Sequence, residues 1–409
     1  MPNPALSTLD LVSLIMDSEV RRLDFAVLLH FDREIDANDL ARGALSARRL
    51  YSTTACNVVH GRWCPLEPDS CELAFRSLGR GESKGLIEQF LRRPFDLASG
   101  PPLRQAWVRD AETGNGCLVT KVHHCVADLL SVLAWIRHQL RVASDLERPC
   151  SKPAAVVPPA LAQAPPGAKR NPAWDRCAPL WTRPGEASGE KRWTTSSFSH
   201  GELAGISLAE CGFTLNDVLV VAALETLQEW NRIQGYNGRR VGIWLPVNIR
   251  RDAFEGFGNA SSRIRIRRDY ADGLDIADKC RAVRSQINLA RERGEWIVPR
   301  RTLLTGIPLR FSAPLVRRYL NRPWADMGSA AFSHVQKWPG QDDPVFAGLR
   351  ELGVLGAMHR RHALIFAAVS LGERTWMTIT YDPALLWPED IAIIRDRYLS
   401  TVEAASRGL

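Results

Sequence analysis

The sequence predicts an α+β protein built as two sheet-containing lobes with a cleft between them. Three observations carry that prediction. The chain has 409 residues, against about 100 to 200 for a typical domain. Between Pro153 and Ala173, six Pro and seven Ala fill 13 of 21 positions, a composition that stops helix and ladder formation alike and reads as a linker. Strand-like and helix-like runs occur in similar proportion on either side of it. The expected division is a first lobe at 1–150, a crossover at 151–190 and a second lobe at 191–409. Ligand sites form preferentially at such domain interfaces.

Taken in order, Leu23 to Phe31 reads as a buried strand and Asp36 to Arg49 as an amphipathic helix. Gly116 to Val122 is a strand, His123 to Ala127 a short turn, and Leu129 to Arg141 a helix with apolar residues at 129, 130, 132, 133 and 136. Beyond the linker, Thr214 to Arg232 is a long helix, Val241 to Pro246 a buried strand, and Ile264 to Arg268 alternates with period two. Asp275 to Arg293 and Arg300 to Leu320 have helical periodicity. Three strand-like runs follow, then a last helix at about Pro388 to Ala405. Trp174, Trp181 and Trp193 cluster near the crossover, placed to pack it onto the lobes.

Composition narrows the function classes. Hydrophobic residues make up 45% and charged residues 24%, which is globular and excludes disordered, collagen-like and coiled-coil chains. The formal charge is +8, and of 53 basic residues 46 are Arg, a surface suited to phosphates or an acidic protein partner. The longest apolar run, Val218 to Leu224, is far short of the roughly 20 residues a bilayer crossing needs, so no membrane span is expected. Asp10, Asp17 and Glu19 interrupt the N-terminal region and no basic n-region precedes them, so no secretory signal is expected either. Nine scattered cysteines without a C-x-x-C pair read as reduced thiols of a cytoplasmic protein.

The candidate chemistry lies in the turn at His123, His124 and Asp128. A histidine at a strand end is rigidly held and faces a cleft if one exists, and its near-neutral pKa suits general base work. Asp128 has three open readings: it orients the imidazole, it pairs with a distant Arg, or it N-caps the helix that follows. A metal site is not expected, because adjacent histidines point apart and no third ligand has suitable spacing. Gly79 to Gly85 matches neither phosphate-loop pattern and reads as a surface turn. Arg263, Arg265 and Arg267 share one face of a strand whose other face carries Ile264 and Ile266. They read as a solvated, aggregation-resistant edge, and no nucleic-acid module accompanies them.

Several blocks extend the pattern beyond the turn. Pro94-Phe95-Asp96-Leu97, Gly100-Pro101-Pro102-Leu103-Arg104 and Val122-His123-His124-Cys125-Val126-Ala127-Asp128 resemble the "fdl..gpplR... HHxxxDG" run of the condensation-domain superfamily. That superfamily includes nonribosomal peptide condensation domains, polyketide-associated acyltransferases and wax ester synthases. Phe213 to Leu219 is similar to its "TxNDvll" helix start, and Leu245-Pro246-Val247-Asn248-Ile249-Arg250 with Gly258-Asn259 to its "PvnlR... GN". Phe332-Ser333-His334-Val335 followed by Trp338-Pro339-Gly340 resembles its "SNv.gp" segment. The resemblance spans nearly the whole chain. It implies a chloramphenicol acetyltransferase-like fold, with two lobes in a V and a tunnel between them. A phosphopantetheine thioester would enter from one face and the acceptor from the other.

By the same resemblance His124 and Asp128 are the catalytic residues, with His124 acting on an amine or hydroxyl. Asp128 forms a structural ion pair with Arg250, His123 is structural, and Asn248, Ser333 and His334 are tunnel candidates. No bound cofactor is implied. The donor acyl group is carried on the phosphopantetheine of an acyl or peptidyl carrier protein, or on CoA, and the acceptor is a small-molecule amine or alcohol. Two residues depart from the pattern: Leu129 replaces its glycine, and His334 the Asn of its SNv segment. Lacking a DFGWG-like segment and fused adenylation or carrier regions, the chain is expected to be a free-standing natural-product acyltransferase. Leu6-Ser7-Thr8-Leu9-Asp10, similar to the "lsplD" opening of the wax ester synthase branch, supports a rival acyl-CoA-dependent alcohol acyltransferase. A non-catalytic carrier-protein binder is the third reading.

Overall fold

Two β-sheets organise the chain. The computed structural model describes residues 5–18, 22–67, 73–78, 83–155, 157–162, 177–199, 212–236, 240–252, 255–297, 328–358 and 362–408. The anticipated helix at Arg300 to Leu320, most of the Gly79 to Gly85 turn, Trp174 and the centre of the Pro/Ala segment lie outside the described residues.

The first sheet is centred on β1 (Asp24–Phe31) and β6 (Gly116–His123), paired antiparallel with Asp24 opposite His123. β5 (Leu103–Asp110) flanks β6, and β4 (Leu73–Leu78) runs parallel to β5 at the edge. α2 (Ala37–Leu50), capped by Asp36, and α4 (Leu129–Ala143) pack together over this sheet. Gly43 makes that approach possible: a Cβ there would lie 2.2 Å from the carbonyl oxygen of Gln139 on α4, well inside contact distance. The remaining elements of this lobe are α1 (Thr8–Met16), α3 (Ser83–Arg92) and a hairpin of β2 (Cys56–Val59) and β3 (Arg62–Pro65).

The second sheet has six strands. β13 (Arg374–Tyr381) lies between β7 (Arg192–Ser199) and β12 (Leu364–Leu371). Next come β10 (Ala330–Val335), β8 (Gly242–Asn248) and the edge strand β9 (Ser261–Arg267). α5 (Leu215–Ile233) carries the uninterrupted run Val218 to Leu224, all of it buried, because it lies in the core between the sheet and the amphipathic helices α6 (Ile276–Glu292) and α7 (Pro388–Gly408). Among the described residues, no helix is long and apolar enough to cross a membrane.

The lobes are interlaced rather than strung end to end. β11 (Leu349–Leu355) belongs by sequence to the 191–409 stretch, yet it pairs antiparallel with β1 at the edge of the first sheet. Four strands, β10 to β13, lie between residue 328 and α7, where three strand-like runs were expected. The segment carrying the chain from β10 to β11 packs Trp338 and Phe346 edge to face in the core of the first lobe, and its Asp343 accepts from Arg137 and Arg141 of α4.

The crossover also fastens the lobes. Its described Pro-rich part makes a bridge from Leu161 to Arg250, and Val157 accepts from the Phe257 amide. Gly256 has φ +79°, and a Cβ there would lie 2.5 Å from Pro159, so the turn requires glycine. Trp181 meets Trp230 of α5 edge to face, while Trp193 packs on the first lobe. Lys191 donates to the buried Asp24 of β1, which also holds Lys121 at 3.0 Å. Burial pushes the Lys121 ammonium down to about 8 despite that carboxylate.

Candidate active site

β6 is buried along its whole length and ends at His123. One further rung, the His124 amide donating to the Leu23 carbonyl at 2.8 Å, holds the next residue in line. Neighbouring strand residues face opposite sides, so the two histidines part. His123 is 1% exposed, and its Nδ1 accepts the Cys125 amide at 3.1 Å, fixing the turn from within. Nδ1 is therefore the acceptor of the ring and Nε2 its N–H, 3.5 Å from the Asp17 carboxylate but without a hydrogen bond to it. His123 is thus buried within the turn and does not line the cavity that His124 meets.

His124 faces the other way, into a cavity of about 290 Å³ between the two sheets. Its Nδ1 lies 3.2 Å from Oδ1 of Asn259. The Asn259 amide nitrogen donates to the Asp10 carboxylate at 2.8 Å and to the His124 carbonyl at 2.6 Å. Both of those partners accept, so the amide orientation is fixed and Oδ1 must face the ring. The His124 proton then sits on Nδ1, and Nε2 keeps its lone pair. Burial holds the imidazole below its ordinary 6.5 and the Asp10 carboxyl above the usual range. Burial thus favours the neutral form of the His124 ring, with Nε2 as its acceptor. Replacing Asn259 by Ala frees the ring, and the expected result is a fall in kcat of about ten to a hundredfold, as small misplacements of a reacting group produce. Steady-state kinetics check it, with the folded state verified by thermal unfolding.

Asp128 serves two of its three open roles at once. It caps α4 by accepting the Ser131 amide at 3.1 Å, and it grips Arg250 through two parallel bonds of 2.8 and 3.0 Å. The Ala260 amide adds a fourth bond at 2.9 Å. Arg250 in turn donates to Ser131 Oγ, the Gly258 carbonyl and Asn248 Oδ1. Every partner of this buried pair is in place, and the pair joins the start of α4 to the turn leading from β8 to β9. That turn also presents Asn259, so the second lobe supplies the residue that orients the first lobe's histidine.

The tunnel candidates divide. Ser333 lines the cavity. His334, its neighbour on β10, faces the opposite side and hydrogen-bonds Ser370 Oγ at 3.2 Å. Asn248 also does not line the cavity; its Oδ1 accepts from Arg250. Leu129 does line it, close behind His124 in sequence, and fills space a glycine would leave open. Leu129→Gly should enlarge the cavity beside His124 and cost about 1 kcal/mol of helix propensity. Activity with progressively bulkier acceptors, alongside denaturant unfolding, checks both parts. Sequence reasoning did not assign Asn259, Asp10 or Ser131 to the site. The Gly258-Asn259 dipeptide was the available signal for the first of them. Among the described residues, no group of three His, Cys, Asp or Glu could hold a metal ion.

Comparison with solved structures identifies the fold. The chain matches the first condensation domain of the CDA synthetase with a TM-score of 0.69 at 16% identity, covering 99% of this chain and 96% of that one. It matches the SgcC5 protein from Streptomyces globisporus with a TM-score of 0.65 at 16% identity, covering 99% of each chain. The epimerization domain from the third module of tyrocidine synthetase B matches with a TM-score of 0.66 at 13% identity, covering 99% and 97%. No family model matches the sequence, and no curated protein does. The α+β, chloramphenicol acetyltransferase-like fold of the condensation-domain superfamily is thus the fold of this chain.

Proposed function

We infer that the chain is a condensation-type acyltransferase, which moves an acyl group from a phosphopantetheine thioester to an amine or hydroxyl held in the cavity. One fold hosts many chemistries, so the inference rests on the site. The carrying observation is the bond from His124 Nδ1 to Asn259 Oδ1, which leaves Nε2 as the acceptor of a ring that lines a mostly apolar cavity. In the reaction Nε2 takes the proton of the attacking N–H or O–H as the nucleophile adds to the thioester carbonyl. The carbon–sulfur bond then breaks, and the departing thiolate takes the proton back. Asn259 Oδ1 keeps its hydrogen bond to the imidazolium throughout, and Asp10 lies behind it.

The donor partner in this reading is an acidic carrier protein, attracted by the +8 charge, and the cytoplasm is the enzyme's place of work. A CoA thioester is the second reading, favoured by the engagement of Asp10, from the block similar to wax ester synthases, with Asn259. The deciding experiment compares kcat/KM for one acyl group presented on carrier protein, on CoA and on pantetheine. Preference for the carrier, weakening as salt rises, supports the first reading. Equal or better use of acyl-CoA replaces it with the second.

A further inference from the structure

α1 is apolar on two faces. Leu11 and Leu14 pack against the core of the first lobe. Leu9, Val12 and Met16, spaced i, i+3 and i+7 along another face, border the cavity that His124 lines. This wall is pinned at both ends. At its start Asp10 accepts from Asn259 at 2.8 Å, and just past its end Asp17 accepts the Leu23 amide at 2.8 Å. Leu23 and Phe25 continue the apolar lining into β1, and the Phe25 ring centroid lies 5.2 Å from that of His124. The apolar surface therefore runs up to the base. More polar lining comes from the second lobe, where β9 presents Ser261 and Arg263. The Arg263 guanidinium carbon stands 3.6 Å from the Trp244 ring centroid, so the solvated-edge expectation does not hold for this residue.

The volume sets a length. A cavity of about 150 Å³ admits benzene, with its six carbons, so the 290 Å³ here admits roughly twice as many. Part of that space receives the thioester and the attacking atom. We propose that the Leu9, Val12 and Met16 face of α1, continued by Leu23 and Phe25, seats an aliphatic acyl group of about eight carbons and makes the enzyme selective against aminoacyl and long-chain donors. This deepens the acyl-transfer reading and rests on it. An aminoacyl donor would lay a charged ammonium on this face, at a high cost unless it is paired. Among the described residues lining the cavity there is no Asp or Glu. The carboxylates behind the wall are engaged, Asp10 by Asn259 and the Ser7 amide, Asp128 by Arg250. Ser13, also on the wall, spends its hydroxyl proton on the Leu9 carbonyl at 3.1 Å. An acceptor with an alkyl tail would present the same chemistry to this face, and the test separates the two.

The test measures binding, not turnover, so its failure is distinguishable from a failure of His124 as the base. The probes are S-alkyl pantetheine thioethers of two to twelve carbons, inert to transfer, titrated by calorimetry against the full chain. Affinity should rise about two- to fourfold with each added methylene and stop rising at about eight carbons. Val12→Phe adds four carbons to the wall and should shorten that limit by about as many, with the ethyl probe bound as in wild type. Should Val12→Phe fail to fold, Ala331→Leu, from the β10 side of the same cavity, takes its place. His124→Ala should keep the rise with chain length. The S-(2-aminooctyl) thioether should bind about tenfold or more weaker than the S-octyl one. A flat series in wild type would overturn the proposal, as would affinity still climbing at twelve carbons, a limit that ignores the wall substitution, or equal binding of the amino probe. Free 1-alkanols of the same lengths form the second arm. If their affinity follows chain length and Val12→Phe while that of the thioethers does not, the face seats the acceptor and the acyl assignment is wrong.

Discussion

Replacing His124 by alanine is expected to lower kcat by about 10² to 10⁴, the usual worth of a positioned general base, with little change in thermal unfolding. The ring meets Phe25 in a tilted contact, 5.2 Å between centroids. The pH dependence has a defined sign. The neutral imidazole is the active form and burial holds its pKa below 6.5, so the wild-type rate should be level above pH 6.5 and fall only below it. Stability follows the same linkage. Below 6.5 the unfolded chain takes up a proton that native His124 does not, so stability is lost as pH falls from 6.5 toward the folded pKa. The alanine variant should lack both features. An unchanged rate in that variant would remove His124 from the chemistry.

Breaking the Asp128–Arg250 pair should have the largest effect on stability. Both residues are buried, at 4% and 6% exposure, and removing one partner leaves the other charge uncompensated, at a cost of about 3 to 5 kcal/mol. Asp128→Asn is expected at the lower end, since the amide oxygen can still accept from Arg250 and the Ser131 amide. Arg250→Ala is expected at the upper end, because it also strips Ser131, Gly258 and Asn248 of a donor. In a double-mutant cycle read by denaturant unfolding, the two should couple strongly, the double variant costing well under the sum. Strict additivity would show that the two charges act independently. Activity should fall as well, because the pair positions the turn that presents Asn259 to His124.

Much of this site could be read from the chain, and the parts that could not have physical reasons. Strand, turn and helix around His123, His124 and Asp128 are local, so periodicity and capping rules reached them. Arg250 lies 122 residues from Asp128 and entered only through the resemblance. Asn259 sat in a quoted block, but its bond to His124 depends on how the turn after β8 folds back on α4, which no local pattern encodes. Ser333 and His334 could not both line one cavity, because adjacent strand residues point apart; alternation alone left open which of them would. The same ambiguity misplaced Arg263. Its shared face with Arg265 was legible, whereas its place on the wall of the cavity that His124 lines was not. β11 illustrates the limit at the level of the sheet: its short apolar run marks a strand but carries no mark of which sheet it joins.

The role of His124 turns on one atom, Nε2, and ¹⁵N NMR of the imidazole reads it directly. With His124 assigned by comparison with the His124→Ala variant, the ring should titrate with a pKa below 6.5 and show, at pH 7, a protonated Nδ1 and an unprotonated Nε2. Asn259→Ala should release that preference. A proton found on Nε2 at pH 7, or a pKa above 6.5, would contradict the assignment of His124 as the base.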